Sequence, residues 1–172
     1  MKKKLFDLFA RYCILILVAI PGLFLFYKVF APLTIYPVYW LFNLFFEAFL
    51  RENFIMVNGI ILEIISACVA GSAYYLLLIL NLAVPNIKLR KRIKMILFAF
   101  IIFLIINILR IFFLGILAFS DPSLFDITHK IFWYVISILF VVGIWFLEVK
   151  VFKIKHIPFY SDLKFLYKKI KC

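Results

Sequence analysis

Met95–Phe119 reads MILFAFIIFLIINILRIFFLGILAF. Only Asn107 and Arg110 interrupt it with polar side chains. Wound as a helix rising about 1.5 Å per residue, it outspans a hydrocarbon core of about 30 Å. This run therefore belongs in a bilayer, and Arg110 must be accounted for there. An arginine inside a membrane helix costs about 2.5 to 3.5 kcal/mol on insertion scales, so it marks a partner or a function. Asn107 lies three residues earlier on the same face and is a candidate to hold the guanidinium. A purely structural ion pair with Glu63 or Glu47 is the competing reading.

The rest of the chain agrees with a membrane setting. Of its 172 residues, 68% are hydrophobic and 20% aromatic, where a soluble domain is about half apolar. The net charge of +12 is distributed as short flanks of apolar runs: Lys2-Lys3-Lys4 with Arg11, Lys88 to Lys94, and Lys150 to Lys171. Only Lys28, Arg51, Arg110 and Lys130 fall elsewhere. This is the positive-inside pattern, with both termini cytoplasmic, and anionic-lipid contact completes the explanation. Nucleic acid is not called for. The first apolar run lacks a small-residue cleavage site and is read as retained.

The expected fold class is an all-α integral membrane protein, a single membrane-embedded domain over residues 1–172. About four transmembrane helices are expected, over 11–30, 67–84, 95–119 and 122–150. Pro21-Gly22 is a candidate kink in the first span. Pro32 and Pro37 set off a short aromatic stretch over 38–50, carrying Asn43 and Glu47, which reads as an interfacial or re-entrant helix. Whether 38–50 crosses the bilayer stays open. Asn58-Gly59 between two apolar runs predicts a small β-hairpin over 54–65, because a type I′ turn needs positive φ twice. Asp121-Pro122 reads as an N-cap followed by proline at the first helical position. The tail 151–172, with Pro158, is expected on the inner surface.

Three residues on different spans then fall in one layer. Counted along ideal helices from the basic flanks, Cys68 lies about 30 Å up, His129 about 31 Å and Arg110 about 24 Å, with its long side chain free to reach outward. Cys68 taken alone is weak evidence, because a small cysteine in an apolar helix is usually packing. Its place at the start of a descending helix, where the dipole favours a thiolate, and its small neighbours Ala67, Ala70 and Gly71 favour a reactive thiol. Cys13, Cys172 and His156 fall on the inner side, and no metal-ligand spacing or cofactor is implied. Asp126, three residues before His129, either orients its imidazole or pairs with Lys130 at the surface. A thiol nucleophile, an imidazole acid/base and a cationic oxyanion stabiliser are the parts acyl transfer uses.

At these positions the chain resembles a short, archaeal-type member of the exosortase/archaeosortase family of membrane cysteine transpeptidases. The resemblance spans about 53–147. It rests on the β-like segment before Ala67-Cys68, on Asn107-Ile108-Leu109-Arg110-Ile111, and on His129 with Phe132-Trp133. The family motif usually reads Ala-Cys-Ser/Thr-Gly; here Ala67-Cys68-Val69-Ala70-Gly71 has no hydroxyl after the cysteine, and glycine is displaced by one. The resemblance implies the catalytic set Cys68, Arg110 and His129, with Asn107, Asp126 and Glu63 in support. It also implies partners: surface proteins ending in a sorting motif, a hydrophobic helix and a basic tail, cleaved through a thioacyl intermediate and passed to a lipid or other acceptor at the outer face. The alternative is a non-enzymatic scaffold or small transporter subunit, using Arg110 and Glu63 for helix packing.

Overall fold

The computed structural model describes residues 2–20 and 23–154, with Pro158 and Tyr167 beyond them. In chain order these are α1 (Lys2–Ala19), α2 (Phe24–Phe45), β1 (Ala48–Arg51), β2 (Phe54–Val57), β3 (Ile60–Glu63), α3 (Ser66–Val69), α4 (Gly71–Leu82), α5 (Leu89–Ser120), α6 (Pro122–Ile131), a π-helical turn (Phe132–Ile136) and α7 (Ser137–Val151). The protein is a helical membrane protein with a small sheet at one end. Among the described residues, three helices are long and apolar enough to cross a bilayer: Phe24–Phe45, Leu89–Ser120 and the continuous run Pro122–Val151. The fourth expected span, 67–84, is a shorter apolar helix over Ser66–Leu82, broken at Ala70.

The N-terminal half departs most from the sequence reading. The first long apolar helix is α2, shifted well along from the expected 11–30, and α1 is a separate element packed on α4. Residues 38–45 are the end of α2 and not an interfacial helix, while 48–51 are a strand. Pro32 and Pro37 sit inside α2. Each removes one backbone donor, which membrane helices accommodate through their neighbours. The kink expected at Pro21-Gly22, and the tail beyond Ile154 apart from Pro158 and Tyr167, fall outside the described residues, as do His156 and Cys172.

The expected hairpin forms around Asn58, at φ 48°, and Gly59, at φ 79°, with Val57 opposite Ile60. β1 adds to it, giving an antiparallel sheet in the order β1-β2-β3. A lone hairpin is marginal in water. The third strand and the helices beneath it bury Ala48, Ile55, Val57 and Ile64.

α5 is the central post, packing against α2, α4, α6 and α7. Phe30 stacks on Tyr74 at 3.7 Å between centroids, with Phe100 edge-on to both. Nearer the sheet, Phe42 meets Phe112 at 4.9 Å. At the opposite, basic end two buried arginines close α4. Arg92 donates to the carbonyls of Asn81 at 2.7 Å, Leu82 at 3.2 Å and Val84 at 2.9 Å, and Arg11 donates to Leu82 at 2.8 Å. These carbonyls are the acceptors a helix C-terminus leaves unused. Two cations of the basic flanks therefore hold the end of α4 in place. Asn81 ties α4 to α7 by donating to the buried Glu148 at 3.0 Å. With this end pinned, the broken end of the same helix is presented beneath the sheet.

Candidate functional site

Cys68 lies in α3, a single turn between β3 and α4. Its N–H donates to the Ile65 carbonyl at 2.9 Å. The chain then breaks at Ala70, a left-handed residue at φ 56° and ψ 45°, where a side chain with Cβ costs about 1 kcal/mol or more. Gly71 follows because a Cβ there would meet the Tyr27 ring at 2.8 Å. This corrects one expectation. Cys68 does not begin a long helix, so the macrodipole argument for its thiolate does not apply: one turn aligns too few peptide units. The break instead leaves the Cys68 carbonyl outside the ladder of α4. Asn107 Nδ2 donates to it at 2.9 Å, so Asn107 fixes the cysteine backbone and not the Arg110 guanidinium.

Arg110 is held from the other side. Its Nη1 donates to Ser137 Oγ at 3.0 Å, and Ser137 Oγ donates to the Phe132 carbonyl at 2.7 Å. The π-helical turn explains that carbonyl: Ser137 N–H also reaches back five residues to it. π-Turns inside helices frequently mark functional positions. Arg110 Nε is buried and, among the described residues, without a hydrogen-bond partner. Also among these residues, neither Glu63 nor Glu47 forms an ion pair with Arg110. Glu63 lies at the end of β3, and its carboxylate accepts a long 3.4 Å bond from Asn53 Nδ2. Arg110 and Glu63 are the cation and anion whose charges reach the Cys68 thiol.

His129 is on α6, capped at its start by the Asp121 carboxylate accepting from the N–H groups of Ser123 and Leu124, each at 3.1 Å. The imidazole stacks on Phe125 at 5.3 Å and meets Trp133 edge-on at 6.0 Å. These rings, one turn to either side, set its orientation. Asp126 does not: it pairs with Lys130 at 2.7 Å on the exposed face, the second of the two roles weighed for it.

Cys68, Arg110 and His129 line one cavity of about 390 Å³, together with Glu63, the run Ile60–Ile65 and the apolar wall of Ile111, Leu114, Gly115 and Ala118. A second cavity of about 240 Å³ lies on the far side of Arg110 and His129, lined also by Tyr27, Ser72, Trp133 and Ser137. The guanidinium and imidazole therefore stand between an apolar chamber holding the thiol and a more polar one without it. Ser137 and the strand edge were not anticipated from sequence. A lone serine in an apolar helix is unremarkable until the π-turn brings it against Arg110.

Fold and site together define a helical membrane protein with a thiol, an imidazole and a guanidinium in one cavity beneath a small sheet. The model of a protein family described as transmembrane exosortase matches residues 2–146. The chain belongs to this family, which in general terms is one of membrane cysteine proteases and transpeptidases. No curated protein and no solved structure matches the chain.

Proposed function

We propose that the protein is a membrane cysteine transpeptidase or protease that removes a C-terminal sorting signal from surface proteins. Cys68 is the nucleophile, His129 the acid/base, and Arg110 the cation that meets the oxyanion. The single observation that supports this most is the shared cavity of Cys68, Arg110 and His129.

In this reading His129 accepts the Cys68 Sγ proton as the sulfur attacks the scissile carbonyl carbon. The carbonyl oxygen takes up the electron pair, and Arg110 stabilises it in a mostly apolar cavity, where a fixed charge counts for more than in water. The tetrahedral adduct collapses, the C–N bond breaks, and the imidazolium returns the proton to the leaving amine. A thioester remains on Cys68. Attack by an acceptor amine, hydroxyl or water, again deprotonated by His129, regenerates the thiol. Ser137 and Asn107 position the guanidinium and the cysteine backbone.

The site end faces outside and the basic end the cytoplasm, in line with the charge distribution. A substrate whose hydrophobic helix follows the cleavage motif would then present the motif at the layer of Cys68. The expected partners are secreted proteins of that form, with a membrane lipid as one acceptor.

Replacing Cys68 by Ala or Ser tests the proposal. Both variants should accumulate in membranes, while surface proteins retain a C-terminal hydrophobic helix and basic tail, seen by mass spectrometry of their C-terminal peptides. Normal trimming in Cys68→Ala cells would end the enzyme reading. The rival scaffold role predicts a silent Cys68→Ala and loss of an assembly in Arg110→Ala.

A further inference from the structure

The cavity that holds Cys68 is bounded by six consecutive residues, Ile60–Ile65. A strand's face cannot do this, because successive side chains point to opposite faces. The cavity therefore borders the edge of β3. That edge is open: β3 is the last strand of the sheet. The register pairs Val57 with Ile60 and Ile55 with Leu62, and the Ile64 N–H donates to the Asn53 carbonyl at 2.9 Å. In an antiparallel ladder the groups facing the partner strand alternate. Ile60, Leu62 and Ile64 thus turn their backbone groups toward β2, and Ile61 and Glu63 turn theirs away. Among the described residues nothing hydrogen-bonds to those outward groups.

We infer that this edge receives the substrate as an added strand. The occupant is the extended peptide segment preceding the scissile carbonyl, running parallel to β3 so that its carbonyl end arrives at Cys68. One of its residues accepts from the Glu63 N–H and donates to the Ile61 carbonyl, and the carbonyl two residues before it accepts from the Ile61 N–H, the spacing a parallel ladder requires. Its side chains on one face meet Ile111, Leu114 and Ala118, so an apolar, uncharged residue fits there and an acidic one beside Glu63 does not. The direction follows from the substrate form under the proposed function, on which this inference rests. The segment before the cleavage point enters from the sheet end, and the helix after it continues toward the basic end. β1, the opposite edge, lines none of the cavity.

The test compares two alkylating reagents on the full chain in membranes, reading Cys68 by mass spectrometry. One is iodoacetamide; the other is an N-acetylated apolar tripeptide chloromethyl ketone, whose chloride the sulfur displaces. Ile61→Pro and Glu63→Pro remove outward N–H groups at an edge position where proline is tolerated. Each should slow the peptidyl reagent relative to iodoacetamide about tenfold, the worth of one or two backbone hydrogen bonds. Glu63→Gln, which loses the same carboxylate as Glu63→Pro but keeps the backbone N–H, should leave the ratio of the two rates unchanged. Methylating every backbone nitrogen of the peptidyl reagent should slow it on the unaltered protein by a similar factor, with no dependence on how the proline variants fold. Equal rates for the methylated and parent reagents would overturn the strand, as would proline variants that slow both reagents alike. Failure of both reagents to alkylate Cys68 in the unaltered protein would instead overturn the nucleophile itself, and the strand with it.

Discussion

Two side chains outside the proposed reacting set do the positioning. Asn107 holds the Cys68 carbonyl at 2.9 Å and Ser137 holds the Arg110 guanidinium at 3.0 Å. Removing the Asn107 donor in Asn107→Leu should cost about 1 kcal/mol of stability and also lower the rate of substrate trimming. Asn107→Asp should lose the rate as well, because a carboxylate cannot donate to a carbonyl. Ser137→Ala should leave the chain at normal levels in membranes and slow trimming about tenfold, the range of one hydrogen bond to a charged group. Ser137→Thr, keeping the hydroxyl, should restore most of that rate. Comparing initial trimming rates at matched protein levels checks both residues. At this scale the charged and titratable members were legible: an arginine in an apolar helix and a histidine at its neighbour's start stand out by cost and rarity. Asn107 was legible as a supporting residue but with the wrong partner, and Ser137 was not legible, because asparagine and serine reveal their partners only when helices far apart in sequence are packed.

Elements near the site depend on a few tight backbone positions. A Cβ on Gly115 would meet Phe42 Cζ at 2.5 Å and Leu62 Cδ1 at 3.0 Å, and Phe42 is fully buried. Gly115→Ala should therefore lower the thermal midpoint in detergent, an overpacking cost of about 1–3 kcal/mol, and disturb the cavity wall it forms. Ala70 carries the opposite strain. Ala70→Gly should raise the midpoint or leave it unchanged and keep trimming, since glycine adopts φ near 56° freely. Ala70→Val should lower both. Long hydropathic runs announced α5 and the α6–α7 run, and Asn58-Gly59 announced the hairpin. β1 was hidden because 38–50, apart from Asn43 and Glu47, is aromatic and apolar, a composition that fits a helix end and a buried strand alike. The prolines of α2 read as breaks because in water they would be. The left-handed turn at Ala70 has no local sequence signal; only the packing of Tyr27 and Asn107 around it explains it.

Across the whole molecule one end is built from arginine clamps and the other from a sheet over the thiol cavity. The proposed orientation predicts that a cysteine placed at the hairpin tip, Asn58→Cys in a Cys68→Ala background, reacts with a membrane-impermeant maleimide in intact cells. Reaction only after the membrane is opened would invert the topology. The central claim is that cleavage passes through a thioester on Cys68, and an added nucleophile reports on that step directly. Cells expressing the protein and supplied with hydroxylamine should release trimmed surface proteins ending in a hydroxamate at the cleavage point, and Cys68→Ser cells should release none. Trimming that continues in hydroxylamine and yields only free carboxylates, from both unaltered and Cys68→Ser cells, would contradict the account.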